Sequence, residues 1–314
     1  MGLLALGVGA SIFFVRSGGK GHGFERYSGT TVEGTGFPKR LRNGGDETTL
    51  AHPPTRLASL IVAGDELLTE LVQPARLVAV SRFADDANVA MSAGRIPPGV
   101  ARIRGADPER ILELSPELVF VTRFNLDSGM RILSGAGVSV VRLGDPTSYD
   151  DVESNVRLVA DVVGESTRGE ALLRTMRARL DAVHAKVFGL AMPRVLYYSA
   201  VDYTAGKDTL IDEKIRRAGG VNAAAELGLV GFHDVSLDVL IGLNPDIIIV
   251  PAWSGDHDAP VRELTHDATW RGVAAVERGR VFAVRAAALT SETPDGVLGV
   301  EELARLFHPE AFRA

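Results

Sequence analysis

The chain of 314 residues contains no cysteine. That absence excludes a thiol nucleophile, a thiolate metal site, any disulfide and a lipid-modified cysteine. Histidine is missing from residues 53–183; the seven are His22, His52, His184, His233, His257, His266 and His308. A site clamping a bare transition metal between two lobes draws imidazoles from both, so direct capture of zinc or manganese is disfavoured. His233, His257 and His266 read as surface loop residues. No G-x-S-x-G elbow, G-x-x-x-x-G-K-[ST] loop, G-x-G-x-x-G or H-E-x-x-H is present, which argues against an enzyme and leaves no resident cofactor or metal site. Positive charge is in deficit too. The net charge of −6 argues against a nucleic-acid partner.

What the chain does have is a repeat. Residues 109–121 read ERILELSPELVFV and residues 238–250 read DVLIGLNPDIIIV, an offset of 129 residues. Each holds a carboxylate, apolar positions at helical spacing, Ser-Pro or Asn-Pro, then a second carboxylate and four apolar residues. A helix that stops before a proline and feeds a buried strand explains the pattern. Asp107 and Ser236 stand where N-caps are expected, and Pro108 suits a first helical position. Glu109 and Asp238 fall in the first turn, where the helix dipole favours negative charge. One αβ unit used twice predicts two similar α/β lobes.

The remaining chain is divided accordingly. Residues 2–15, GLLALGVGASIFFV, are apolar and uncharged. As a helix they span roughly 20 Å, short of a ~30 Å bilayer core. They fit a signal-peptide core or a short N-terminal membrane anchor. Residues 16–55 lack apolar periodicity and read as a flexible tether. Residues 56–148 form the first lobe. In it, Leu57–Val62 is a strand, Glu66–Val72 a helix capped by Asp65, and 84–105 a loop. Residues 149–188 hold no proline. Leu172, Leu173, Met176, Leu180, Val183 and Val187 recur there at helical spacing, which predicts one long connecting helix over Ser166–Lys186. Residues 189–314 form the second lobe. Strands alternating with helices imply mostly parallel sheets in both.

In such sheets, ligands bind outside the carboxyl ends of the strands. The residues near those ends are Phe83, Arg123 and Phe124 in the first lobe and Tyr198, Tyr203, Trp253 and Arg285 in the second. Arg102 and Arg104 precede the first repeat. This aromatic and basic lining suits a large, flat, partly anionic ligand.

The ordered stretches RLASLIVAGDELLTELV, RLVAVSRFADD, ADPERILELSPELVFV, AGKDTLIDEKIRRAGGVNAAAELGL, VSLDVLIGLNPDIIIV and ERGRVFAV resemble the iron-siderophore and vitamin B12 class (class III) of substrate-binding proteins of ABC importers. The resemblance covers roughly residues 56–313. It implies two α/β lobes joined by one long helix, a ligand cleft between them, and a surface carboxylate on each lobe that docks on arginines of the permease. Those carboxylates correspond to Glu109 and Asp238. Asp238 is one methylene shorter than the usual glutamate. Phe83 and Arg104 match the cleft positions best, and Tyr203, Trp253 and Arg285 match more loosely.

The resulting expectation is an extracytoplasmic binding protein, monomeric, that delivers a metal chelate to an ABC permease. A ferric siderophore fits first. Arg102, Arg104, Arg123 and Arg285 would pair with ligand oxygens, and Phe83, Tyr203 and Trp253 would cover its apolar face. Haem or cobalamin is the alternative ligand, with Tyr198 or Tyr203 available to haem iron. A tethered sensor or interaction module on the same scaffold is a further alternative.

Overall fold

A computed structural model describes residues 29–43, 46–105, 107–122, 125, 127–199 and 203–313. The apolar run at 2–15 lies outside the described residues, and so do Arg123 and Phe124. No helix among the described residues is long and apolar enough to cross a membrane. The described residues divide into two compact units: 29–146 with 150–173, and 147–149 with 174–313.

The first unit opens with strands β1 (Thr31–Glu33), β2 (Lys39–Asn43) and β3 (Asp46–Leu50), an antiparallel sheet in that order. Within the tether expected over 16–55, these strands are ordered structure, while residues 16–28 lie outside the described residues. Along β2 the burial alternates, with Lys39 and Leu41 inward and Arg40 and Arg42 outward. One of the two inward residues is a lysine, so no apolar alternation reaches the sequence. Lys39 Nζ lies 2.8 Å from Asp161, which offsets the cost of burying the cation.

The parallel sheet of this unit contains β4 (Leu57–Ser59), β5 (Leu77–Ser81), β6 (Ala101–Ile103), β7 (Leu118–Val121) and β8 (Ser139–Arg142) in the order β6-β5-β4-β7-β8. Helix α1 (Val62–Leu71) packs Leu67, Leu68 and Leu71 inward. Helices α2 (Pro108–Glu113) and α3 (Asp127–Gly135) join the core cluster through Ile111, Met130 and Leu133. β7, Leu-Val-Phe-Val, is wholly buried, as a strand inside a parallel sheet should be. The β8 edge is covered by the N-terminal sheet: Thr30 N–H donates to Arg142 O at 2.8 Å and Asn43 Nδ2 to Val140 O at 2.6 Å. Covering an edge removes a template for pairing with other chains.

Two boundaries differ from expectation. β4 ends at Ser59, and α1 begins at Val62, so Asp65 lies inside the first turn rather than at the cap. The turn is tight because Gly64 packs against the sheet. A Cβ there would sit 2.4 Å from Ser59 Oγ and 3.3 Å from Phe120 Cβ. Within 84–105, residues 101–103 are strand β6, too short to show a period.

Helix α4 (Tyr149–Val162) ends at Gly164, and α5 (Ser166–Val187) comes next. Leu173, Met176, Leu180, Val183 and Val187 are its buried positions, at alternating spacings of three and four. The second unit contains β9 (Arg194–Tyr197), β10 (Tyr203–Ala205), α6 (Leu210–Arg217), β11 (Val221–Asn222), β12 (Phe232–Asp234), α7 (Leu237–Gly242), β13 (Ile247–Ala252), α8 (Ala259–His266), α9 (Ala274–Glu277), β14 (Val281–Arg285), α10 (Ala286–Thr290) and α11 (Val297–Phe307). Its parallel sheet has the order β11-β9-β13-β14, and β10 pairs antiparallel with β12. Trp270, Leu240, Leu264 and Ile248 belong to one core cluster. Lys214 of α6 is fully buried and donates to the carbonyls of Ala288, Leu289 and Ser291 at 3.2, 2.7 and 2.8 Å.

Candidate ligand-binding site

Strand order locates the site within each unit. In the first, the chain runs from β4 to β5 and β6 on one side, then crosses to β7 and β8 on the other. The switch point lies between β4 and β7. In the second it lies between β9 and β13. Ligands of open parallel sheets bind beside such points, at the carboxyl ends.

In the first unit, β5 delivers Arg82 and Phe83. The Arg82 guanidinium lies over the Phe83 ring, 4.3 Å from its centroid, and both residues are half-buried. Arg82 is a site candidate that sequence reasoning missed; its signal was the dipeptide Arg82-Phe83 closing a strand. Arg104 comes directly after β6 and is exposed. Arg102 is bonded within its own loop. Its Nε and Nη2 grip both Asp85 oxygens at 2.8 and 2.7 Å, and Nη1 donates to Pro97 O at 2.9 Å and Val100 O at 2.5 Å. That hydrogen-bonded guanidinium holds the Asp85 carboxyl below the usual carboxylate range. Arg102 therefore organises the loop before β6. After β7, Asn125 Oδ1 accepts the Thr122 N–H at 2.9 Å; Arg123 and Phe124 lie outside the described residues.

In the second unit, Tyr198 is half-buried after β9. Its ring packs edge-on against Trp270 at 4.9 Å and extends the core cluster. Tyr203 instead stacks on Phe232, ring planes 2° apart and centroids at 5.7 Å. Burial, and then the nearby Asp234 charge, push its hydroxyl up to about 12. Phe232 was missed because β12 is only three residues long. Trp253 leaves β13 directly after Ala252, whose register partner on β14 is Arg285. Both Trp253 and Arg285 are half-buried. Glu302 of α11 shares this corner: burial raises its pKa, against the pull of Arg285, His257 and Arg305. Nothing in the helical pattern of α11 singled Glu302 out.

Glu109 and Asp238 are both exposed in first turns. Asp107 caps α2 by accepting the Glu109 N–H at 3.1 Å. Ser236 does not cap α7 through its side chain; its carbonyl accepts the Val239 and Leu240 N–H groups instead. An open cavity of about 480 Å³ lies at the amino ends of β7 and β8, lined in part by His52, Ser115, Glu117 and Ser139, away from the carboxyl-end residues.

Residues 57–288 match a family model described as periplasmic binding protein. The chain belongs to the periplasmic binding protein family. A substrate-binding lipoprotein of an ABC transporter in Bacillus subtilis, YvrC, itself uncharacterised, is 22% identical over 88% of this chain and 88% of its own length. A cobalamin-binding protein of Halobacterium salinarum is 26% identical over 83% of this chain and 71% of its own. Among solved structures, the periplasmic heme-binding protein RhuT of Roseiflexus aligns with a TM-score of 0.68 and 26% identity, covering 82% of this chain and 98% of that one. The chain is thus a substrate-binding component of ABC transport and not an enzyme. Members of the periplasmic binding protein family are periplasmic proteins or lipoproteins.

Proposed function

We propose that this periplasmic binding protein captures a metal chelate, a ferric siderophore first among them, and delivers it to an ABC permease. The observation that carries the reading is the pairing of aromatics with cationic or stacked partners near the strand ends, Arg82 on Phe83 and Tyr203 on Phe232, with Trp253 one residue past the Ala252–Arg285 register pair. Flat rings cover an apolar chelate face, while Arg82, Arg104 and Arg285 answer its oxygens. Arg123 and Phe124 stay in this set by position. Glu109 and Asp238 dock on the permease. The protein works as a monomer outside the cytoplasm, with residues 2–15 serving as a signal-peptide core or an N-terminal membrane anchor.

Native mass spectrometry of the purified chain against ferric siderophores, hemin, cobalamin, molybdate and free metal ions tests the reading. Retention of a ferric siderophore at low micromolar concentration supports it. Retention of only molybdate or a bare ion overturns it.

Haem or cobalamin is the second reading, favoured by the Tyr203–Phe232 stack and by the cobalamin- and heme-binding relatives. With its hydroxyl near 12, Tyr203 is protonated at neutral pH, so iron ligation would release a proton. A Soret band with hemin that vanishes in Tyr203→Phe supports this reading; a band that persists removes Tyr203 as ligand.

A further inference from the structure

The connection from β5 to β6 carries Phe83 and runs for 19 residues before the next strand, Ala101–Ile103. A loop of that length is ordinarily mobile or built for a function. Here one helix grips it. Three acidic side chains of α1 reach the last residue of β5 and two points of the loop. Asp65 accepts the Ser81 N–H with both carboxyl oxygens, at 3.1 and 3.2 Å. Glu66 Oε1 accepts the Met91 N–H at 2.8 Å. Glu70 pairs with Arg95, whose Nη2 also donates to Met91 O at 3.1 Å.

Asp65 is 0% exposed and Glu66 1%. Burying two adjacent carboxyls is costly, and the cost is offset only by what they bond. These two bond the backbone at the two ends of residues 81–91, the segment that displays Phe83. Neighbouring groups lock the middle: Ser81 Oγ accepts the Phe83 N–H at 3.3 Å, and Asp85 is gripped by Arg102.

We propose that Asp65 and Glu66 are positioning residues for the ligand-facing Phe83, fixing its loop before ligand arrives without touching the ligand. The inference rests on Phe83 belonging to the ligand site. Fixing a loop in advance removes an ordering cost that binding would otherwise carry, so it raises affinity without a new contact.

The test uses the full chain with ferrichrome and hemin as probes, taking whichever binds more tightly. Variants are Phe83→Ala, Glu66→Ala, Glu66→Gln and the double variant Glu66→Ala/Phe83→Ala. Glu66→Ala should weaken binding roughly tenfold, the worth of one hydrogen bond to a charged group. Glu66→Gln keeps an acceptor oxygen and should recover most of it. The double variant should bind like Phe83→Ala alone, because a residue acting through Phe83 has nothing left to position. Additive losses, or unchanged binding in Glu66→Ala, overturn the proposal.

Hydrogen exchange without ligand supplies an independent readout. Amides of 83–91 should exchange faster in Glu66→Ala, while the β7 amides stay protected. Unchanged exchange at 83–91 overturns the positioning role even if affinity falls. Unchanged affinity in Phe83→Ala overturns the assignment of Phe83 to the ligand site instead, and the exchange result then decides whether the carboxyls hold the loop.

Discussion

Ser115 and Asn244 stand 129 residues apart and share one backbone state, with φ of 48° and 43°. Each lies between its helix and the proline that leads into a buried strand. Each carbonyl accepts from an arginine at the start of the first strand of its own parallel sheet, just before β4 or opening β9: Arg56 Nε donates to Ser115 O at 2.8 Å, and Arg194 Nη1 to Asn244 O at 3.2 Å. The next contact repeats as well. Glu117 N–H donates to Arg56 O and Asp246 N–H to Arg194 O, both at 2.8 Å. The duplication seen in the sequence is therefore a duplication of hydrogen bonds.

Ser115→Gly should stabilise the protein. A left-handed non-glycine residue costs about 1–2 kcal/mol, and glycine gives back about 0.4–1 kcal/mol in unfolded-chain entropy, leaving a gain of roughly 0.5–1 kcal/mol. Asn244→Gly should gain nothing, because Asn244 Oδ1 accepts the Ala274 N–H at 2.8 Å and that bond is lost. Urea denaturation of the two variants side by side checks the contrast.

Asp65 predicts a pH dependence of stability. Burial raises its pKa from 3.8 to about 8, against the lowering effect of its hydrogen bonds to Ser81 and Ser59. Between those two values the folded state holds a proton that the unfolded state has released. Asp65's contribution to stability therefore falls as pH rises from about 4 to about 8, then levels off. Asp65→Asn mimics the protonated form and should flatten that part of the profile. Melting curves at intervals across this range test it; a slope unchanged in the variant would sink the assignment.

The α2–β7 and α7–β13 units were legible because their periods are long and their prolines fall in register. The N-terminal sheet was not, because an inward lysine breaks the alternation and its acidic partner, Asp161, is more than a hundred residues away. The same limit applies to Arg102 and Tyr198. Their neighbours, Asp85 for one and Trp270 for the other, are set by the fold and show in no local pattern. The strand-end positions of Phe83, Trp253 and Arg285 were legible because a strand end needs only local pattern. Phe232 and Arg82 became visible once pairing and packing were known.

Lys214 should be intolerant of loss. Lys214→Met leaves three buried carbonyls of Ala288, Leu289 and Ser291 without the ammonium, and a cost of about 3 kcal/mol or more is expected. Gly296→Ala should destabilise the same corner, since a Cβ there would lie 2.7 Å from Ser291 O and 3.2 Å from Lys214 Nζ. Calorimetry on both variants measures the effect, and a melting temperature unchanged in Lys214→Met would contradict it.

The two tryptophans offer a ligand assay. Trp270 is 1% exposed in the core, whereas Trp253 is half-buried at a strand end. An iron chelate bound beside Trp253 should quench part of the emission. Trp253→Phe should remove the quenchable part and leave the Trp270 signal. Quenching that survives in Trp253→Phe would move the ligand away from β13.

The N-terminal sheet also sets where mechanical load enters the protein. A pull on the chain ahead of residue 29 meets Thr30 first, bonded to Arg142 on β8, and then Lys39, paired with Asp161 on α4. These bonds lie in series along β1 and β2, so each must give before the next is stressed. The force ends in the first unit, at a sheet edge whose partner strands were not expected from the sequence. A protein held by that end would yield first at Thr30, then at the buried Lys39 pair and last at the Asn43 bond to Val140, with the strands that carry Phe83 and Arg104 untouched until all three had failed.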